Sequence, residues 1–300
     1  MFLKKSSGSA LISALLVTAI VSVIATAIVI SLQRLIHQTE LVINRDQMLL
    51  DLQGVNDWAK MVMLENVDVS QVKPLEVDIN GTSLTGKIYP QQGLFNLNCL
   101  RYTKNQGRFI ELIRAVLPKI STRQASSLAA AVSDWMLPGT NDGAYLRANP
   151  SYRAAHRPFL VAGSLRAVSG FTATIYEALS PYVTAFPNKR YQIDVNYAPA
   201  PIFATVGENL TLEQGAALYA CRQKQKYFTN VDVFTEACGS IAPIDLDSIM
   251  TTDDYFLVRG RARRGSQTLT LTSLLWRYQR NENTKNGIVV RIVWQQLNAD

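Results

Sequence analysis

Two histidines and three cysteines are all the imidazoles and thiols this chain has. A site that needs a nucleophile with its base, or a set of soft metal ligands, has little to draw on. His156 stands in YRAAHRPF, between Arg153 and Arg157, with no Ser or Cys constellation beside it. Packing or hydrogen bonding suits it better than catalysis. His37 reads as an interfacial polar residue. No nucleophile–base–acid set can be placed, which argues against an enzyme, and structural zinc has too few ligands. Cys221 and Cys238 flank CRQKQKYFTNVDVFTEAC. In an oxidising compartment they could bridge, closing a loop of about 16 residues worth roughly 3 kcal/mol, with Cys99 left over; three buried free thiols are the alternative. The run RGRARR at 259–264 looks at first like a nucleic-acid patch. It falls on a predicted edge strand and turn, where a solvated basic face would discourage sheet aggregation.

The N-terminus sets the compartment. From Ser9 to Gln33 no residue is charged, a run longer than the roughly 20 residues that cross a bilayer as a helix. The leader MFLKKSSG precedes it, with Lys4 and Lys5. Basic residues on that side predict a cytoplasmic N-terminus and an exported remainder. The run exceeds the apolar core of an ordinary signal peptide and no small-x-small cleavage site follows it. Two readings stay open on these residues: a plain signal anchor, or a prepilin-type signal cut after Gly8 so that Ser9 begins the mature chain. The apolar pattern continues beyond the membrane as Leu41, Met48, Leu52, Val55, Trp58 and Val62 at helical spacing. One helix is therefore predicted from about Ala10 to about Glu65, its first half in lipid and its second half amphipathic. Gly54 costs it about 1 kcal/mol relative to Ala.

Behind the helix, Leu75–Ile79 and Leu84–Tyr89 alternate as strands around the turn signal Asn80-Gly81. Helical patterns follow at Arg108–Leu117, Thr122–Trp135, Ser164–Val168 and Thr172–Leu179. A second group spans Pro199–Val206, Thr211–Gln223 and Val231–Ala237. The two groups could be related. Strands return at Asp254–Arg263, Gln267–Tyr278 and Ile288–Gln296, with turns at Arg264-Gly265 and Asn286-Gly287. The order helix, strands, helices, strands predicts an α+β head whose sheet is interrupted by a helical insertion.

Composition agrees with an anchored globular protein. The 300 residues are 48% hydrophobic and 18% charged, too apolar for disorder and too mixed for a polytopic membrane protein. The 30 basic residues against 23 acidic ones give +7 and a pI near 9.3. Part of that charge is the leader.

In the order and spacing of several segments the chain resembles the minor pseudopilin K family of type II secretion systems, also called general secretion pathway protein K. The segments are the Gly8/Ser9 junction, QGLFNLNCL at 92–100, SDWMLPGTNDGAYLRANPSYRAAHRPF at 133–159, SLRAVSGFTATIYEALSPYVTAFP at 164–187, DVNYAPAPIFATV at 194–206 and DDYFLVRGRARRG at 253–265. The resemblance implies an α+β fold: a pilin-like long N-terminal helix packed on an antiparallel sheet, with a large inserted all-helical domain of SAM-like or helix-hairpin-helix units. It implies a leader at 1–8, a transmembrane part at 9–33, pilin-like helix and first strands at 34–100, and an insertion at 101–250 made of units at about 101–187 and 194–250. Strands at 251–300 complete the sheet. It further implies cleavage between Gly8 and Ser9 by a prepilin peptidase, a single-pass inner-membrane location with a periplasmic head, and a place at the pseudopilus tip with minor pseudopilins I, J and H. There such proteins prime the filament that exports folded proteins across the outer membrane. Most pilins carry Glu at the fifth mature position, where it pairs with a neighbour's N-terminal ammonium. Here that place is Ser13, which suits a first subunit with no predecessor. Family members bind calcium in an acidic loop after an Asp-Trp pair. Asp134-Trp135 is present, followed by Asn141 and Asp142, but the loop is acid-poor for a cation that takes six to eight oxygens. The alternative is a membrane-anchored helix-hairpin-helix DNA-binding protein of a DNA-uptake system, for which Ser169-Gly170 offers a partial hairpin and the segment around Leu210–Leu212 none.

Overall fold

A computed structural model describes residues 7–65, 68–139, 142–188, 190–208, 210–225, 227–280 and 287–298. Helix α1 runs from Ser7 to Leu64, about 87 Å at 1.5 Å per residue. Its two halves differ as the sequence predicts. Leu11, Leu15, Val23, Ile28, Leu35 and other apolar side chains of the first half are bare. From Met48 onward one face is covered: Met48, Leu52, Val55, Ala59 and Met63 are all buried, at steps of three or four residues that keep them in line.

That face lies on a five-stranded antiparallel sheet. Strands β1 (Leu75–Ile79) and β2 (Thr82–Pro90) form a hairpin. Its turn uses Asn80 at φ +50° and Gly81 at φ +82°, the left-handed pair of a tight hairpin turn. The chain then leaves the sheet. It builds β3 (Phe95–Asn96), α2 (Gln106–Val116), α3 (Thr122–Met136), α4 (Gly143–Leu146), α5 (Ala173–Leu179), β4 (Val183–Thr184), β5 (Ile193–Asp194), α6 (Leu212–Gln223), α7 (Val231–Cys238) and β6 (Ile249–Met250). It returns as β7 (Tyr255–Arg264), β8 (Gln267–Gln279) and β9 (Ile288–Leu297). The strand order is β1-β2-β7-β8-β9. The predicted turn at Asn286-Gly287 has Asn286 outside the described residues.

Two expectations change. The insertion begins at the end of β2, not at residue 101. Phe95, Leu97, Cys99 and Leu100, placed with the first strands from sequence, are fully buried in the helical core, because β3 pairs in parallel with β4 and not with the sheet. Strand β7 is central, between β2 and β8, and not an edge. Arg259, Arg261 and Arg263 are exposed while Val258, Gly260 and Ala262 between them are buried. The arginines therefore form the solvent side of an alternating strand, and they shield no edge.

The inserted helices form two units on one plan. Each starts on a two-residue strand that pairs in parallel with the strand closing that unit: β3 with β4, and β5 with β6. Each carries a capping box at the N-terminus of a long helix. Ser121 and Gln124 cap α3, and Thr211 and Gln214 cap α6, satisfying otherwise orphaned amides. Each is clamped by a buried Asn just after its first strand. Asn98 Nδ2 donates to the carbonyls of Phe159 and Phe186, and its Oδ1 accepts from Phe159 N–H. Asn196 Nδ2 donates to the carbonyls of Phe228 and Thr251, and its Oδ1 accepts from Phe228 N–H. One hydrophobic core runs through both units.

Candidate functional site

The anchor end of the molecule holds the processing and assembly residues named from sequence. Gly8 and Ser9 lie within α1. Ser13 lies one turn further along and is exposed. Among the described residues α1 is the one helix long and apolar enough to cross a membrane, and its apolar segment has no protein packed against it.

The loop after α3 is where calcium was expected. Trp135 is its centre, with Tyr145, Tyr152 and Phe159 packed around it at ring distances of 5.3, 6.4 and 6.5 Å. Asp142 is already engaged. Its Oδ1 accepts from Ala154 N–H at 3.1 Å, and the carboxylate pairs with His156 Nε2 at 3.2 Å. His156 Nδ1 lies 2.8 Å from the Leu137 carbonyl. The imidazole thus faces two acceptors, which favours its doubly protonated form. The bond to Leu137 and then that to Asp142 raise its pKa. Burial is the largest single influence on Asp142 and works against ionising it, but the bonds from His156 and Ala154 together with the charges of His156 and Arg153 outweigh it and lower the pKa. Asp134 is exposed on α3, and Asn141 lies outside the described residues. No cluster of three acidic, His or Cys side chains among the described residues could hold a metal. Among the described residues of the loop, Asp142 is engaged by the His156 imidazole, and a calcium ion there would have to compete with that pairing. Asp142→Asn should lower the His156 titration partway towards its ordinary value, as read from the ring-proton shifts of the two histidines.

Cys221 at the end of α6 and Cys238 at the end of α7 are joined, 17 residues apart, so the bond ties the two helices of the second unit. Cys99 is free and buried, and burial pushes its thiol pKa far up, leaving it inert. Replacing Cys221 and Cys238 by Ser should cost about 3 kcal/mol by loop-closure entropy, seen as an earlier urea midpoint for loss of helix.

The region where helices meet sheet was not singled out from sequence. The chain crosses it twice, outward at Gln91-Gln92 and back at Asp253-Asp254. Gln92 holds both crossings. Its N–H donates to Asp253 Oδ1 at 2.7 Å, its carbonyl accepts from Asp194 N–H at 2.9 Å, and its Oε1 accepts from the N–H of Asp254 and of Tyr255. Gly93 lies so close to Tyr197 that an added Cβ would meet the Tyr197 carbonyl carbon at 2.6 Å. Phe186, at the end of the first unit, stacks on Tyr255 at 4.6 Å. Arg277 Nη2 donates to the Asp253 carbonyl at 2.8 Å. The neck is thus a laced joint with buried polar groups, and it fixes how the helical module sits on the sheet. The sequence signal that could have found it is the repeated pattern Asn96-x-Asn98 and Asp194-x-Asn196.

Among the described residues the second unit offers no phosphate-binding hairpin. Gly207 stands near the place corresponding to Gly170, but an added Cβ there would meet the Pro243 carbonyl at 2.2 Å. It serves close packing, and the adjacent cleft mixes Glu111, Glu208, Asp245 and Asp247 with Lys104, Arg108 and Arg190, Arg108 being paired with Asp245.

A bare apolar stalk, an amphipathic continuation packed on an antiparallel sheet, and a helical module inserted between the second and third strands define a membrane-anchorable pilin-like protein. The family described as type II secretion system (T2SS), protein K matches residues 93–188. A type II secretion system protein K from Pseudomonas aeruginosa is 26% identical over 321 residues, covering 96% of this chain and 93% of its own. One from Klebsiella pneumoniae is 23% identical over 216 residues, covering 64% and 66%. The fold also matches a chain in the crystal structure of the GspK-GspI-GspJ complex from the enterotoxigenic Escherichia coli type 2 secretion system, with TM-score 0.71, 20% identity, and coverage of 88% of this chain and all of that one. Over nearly its whole length the chain is thus similar to type II secretion system protein K, and residues 93–188 match that family's pattern.

Proposed function

We propose that this chain is a minor pseudopilin that caps the pseudopilus of a type II secretion system and primes its assembly, and that it is a structural subunit with no enzymatic role. One observation carries the reading. The helix that would anchor the chain in a membrane continues without a break into the helix that packs on the sheet, so insertion in lipid and display of the head are one rigid element. The helical module then projects from the sheet through the neck, where a terminal subunit would carry it without obstructing the stalk. In this reading the leader stays cytoplasmic, cleavage follows Gly8, the stalk sits in the inner membrane, and the head is periplasmic. An oxidising periplasm suits the Cys221–Cys238 bond.

Ser13 bears on the place in the filament. A charged side chain in lipid is costly unless paired, so a subunit lacking Glu there neither needs nor offers a preceding partner. The solved complex that the fold matches contains GspI and GspJ, and the I and J subunits of this chain's own system are the proposed partners. Co-expression of the full chain with them should give a complex that survives detergent extraction and size exclusion, with the N-terminus of this chain beginning at Ser9 by mass. Failure to bind either partner, with salt-dependent binding to DNA instead, would sink the proposal in favour of the DNA-uptake alternative.

A further inference from the structure

The neck contains two buried carboxyl groups that the proposed function leaves unused. Asp194 ends β5 and Asp253 lies just before β7; they are 0% and 2% exposed. One oxygen of each has an ordinary partner: Asp194 Oδ1 accepts from Asn196 N–H at 2.8 Å, and Asp253 Oδ1 from Gln92 N–H at 2.7 Å. The other oxygen of each, Oδ2, is buried with no donor from the rest of the protein. The two carboxyl groups are neighbours in the neck: Gln92 bonds to Asp253 Oδ1 through its N–H and to the Asp194 N–H through its carbonyl, and each carboxyl acts on the ionisation of the other. Two ionised carboxylates have no hydrogen between them and would repel each other in a place without water.

The first unit shows what the arrangement requires. Asn96 holds the position in β3 that Asp194 holds in β5, two residues before the clamping Asn. Like Asp194, it accepts from the N–H of that Asn. Its Nδ2, though, is a donor, given to the carbonyls of Phe186 and Asn188. In the second unit an acid stands where the first has a carboxamide. A carboxyl group supplies a donor only while it carries a proton.

We propose that Asp194 and Asp253 share one proton across the neck, and that this proton fastens the helical module to the sheet, so that the joint tightens as pH falls. The surroundings are mixed in charge. Arg222 from α6 favours ionisation of Asp194, and Arg277 from β8 that of Asp253, while Asp68 opposes it for Asp194. Tyr197 donates to Asp68, and Tyr227 and Asp254 complete the titratable neighbours. Burial is the largest influence on both carboxyls and raises both pKa values. The sign follows. Unfolded carboxyls release their protons near pH 3.9, while the folded pair keeps one. Above that pH the folded neck holds more protons than the opened one, so it weakens as pH rises.

The test uses the full chain in detergent micelles. Protection of the Asp254 and Tyr255 amides, corrected for intrinsic exchange, reports opening of the neck. In the wild type it should fall about tenfold per pH unit until the pair ionises. Asp253→Asn supplies a permanent donor to Asp194, and Asp194→Asn copies Asn96, so either single variant should flatten the profile. The double variant sets two amide NH₂ groups against each other and should lose protection at every pH. Infrared spectra should show a carboxylic-acid stretch at neutral pH that disappears in each single variant. A wild-type profile parallel to that of Asp253→Asn, or no such stretch at neutral pH, overturns the proposal. If Asp253→Asn does not fold, Asp194→Asn carries the same comparison.

Discussion

Asn196→Ala is expected to unfold the helical module. The side chain is buried and makes three hydrogen bonds, to the carbonyls of Phe228 and Thr251 and from the N–H of Phe228. Alanine removes both donors and the acceptor. It leaves two carbonyls and one amide buried with no water to replace the lost partner. Each orphan costs roughly 1 to 3 kcal/mol, so the sum is on the order of 3 to 6 kcal/mol even with partial relaxation. Total stability of a domain is about 5 to 15 kcal/mol, so little or none would remain. Asn196→Asp is no remedy: it keeps the acceptor, loses both donors, and places a third carboxyl group beside Asp194 and Asp253. Asn98→Ala should be comparably severe, because Asn98 holds Phe159 and Phe186 by the same three bonds and the two units share one core. Urea unfolding followed by far-UV circular dichroism would measure it. A midpoint shift worth less than about 1 kcal/mol would mean that these clamps are not what closes the units.

The predicted fold rested on local pattern, and it held where local pattern decides. The long helix was readable because its apolar residues change from all faces to one face along the chain. The β1–β2 turn was readable because Asn80-Gly81 takes the positive φ values that few other residues tolerate. What depended on distant pairing was not readable. Phe95–Leu100 looks like a continuing strand, and only its pairing with β4 places it in the helical core. The arginines of β7 alternate as they would at an edge. That β2 and β8 lie on either side follows from the whole insertion being looped out between β2 and β7, which no local spacing records. At the Asp134–Asp142 loop the resemblance implied a cation while the acid-poor composition argued against one, and the pairing of Asp142 with His156 of the same loop is recorded by no local spacing. The neck was invisible for a related reason. Asn98, Asn196 and Asp194 sit in plain polar patterns within segments already noted, and their importance comes from burial against residues far off in sequence.

A side chain at Gly86 or Gly260 is expected to lift α1 from the sheet. These glycines are direct partners on β2 and β7, under the middle of the covered half of the helix. A Cβ at Gly86 would meet Val55 Cγ1 at 2.5 Å; one at Gly260 would meet Leu52 Cδ2 at 3.0 Å and Val55 Cβ at 3.3 Å. Glycine weakens a strand on its own account, so two facing glycines in a sheet centre mark a place where another backbone comes close. Here they form a shallow seat for Leu52 and Val55, both fully buried. Gly260→Ala needs only a small shift of the Leu52 methyl and should cost about 1 kcal/mol. Gly86→Val forces a β-branched side chain against Val55 itself and should cost about 3 kcal/mol or more, since a closely packed core absorbs extra volume only by moving an element. The element that moves is α1, the link between the membrane and the head. The valine variant should therefore show more than a lower melting temperature. Its sheet and helical module can remain folded while the stalk loses its fixed angle. A pair of spin labels, one at Glu65 on the α1 end and one at Ser266 in the β7–β8 turn, would then give a broadened distance distribution in Gly86→Val and a narrow one in the wild type. Equal widths would mean that the helix holds its place without the glycine seat, and that the buried stripe from Met48 to Met63 is sufficient by itself.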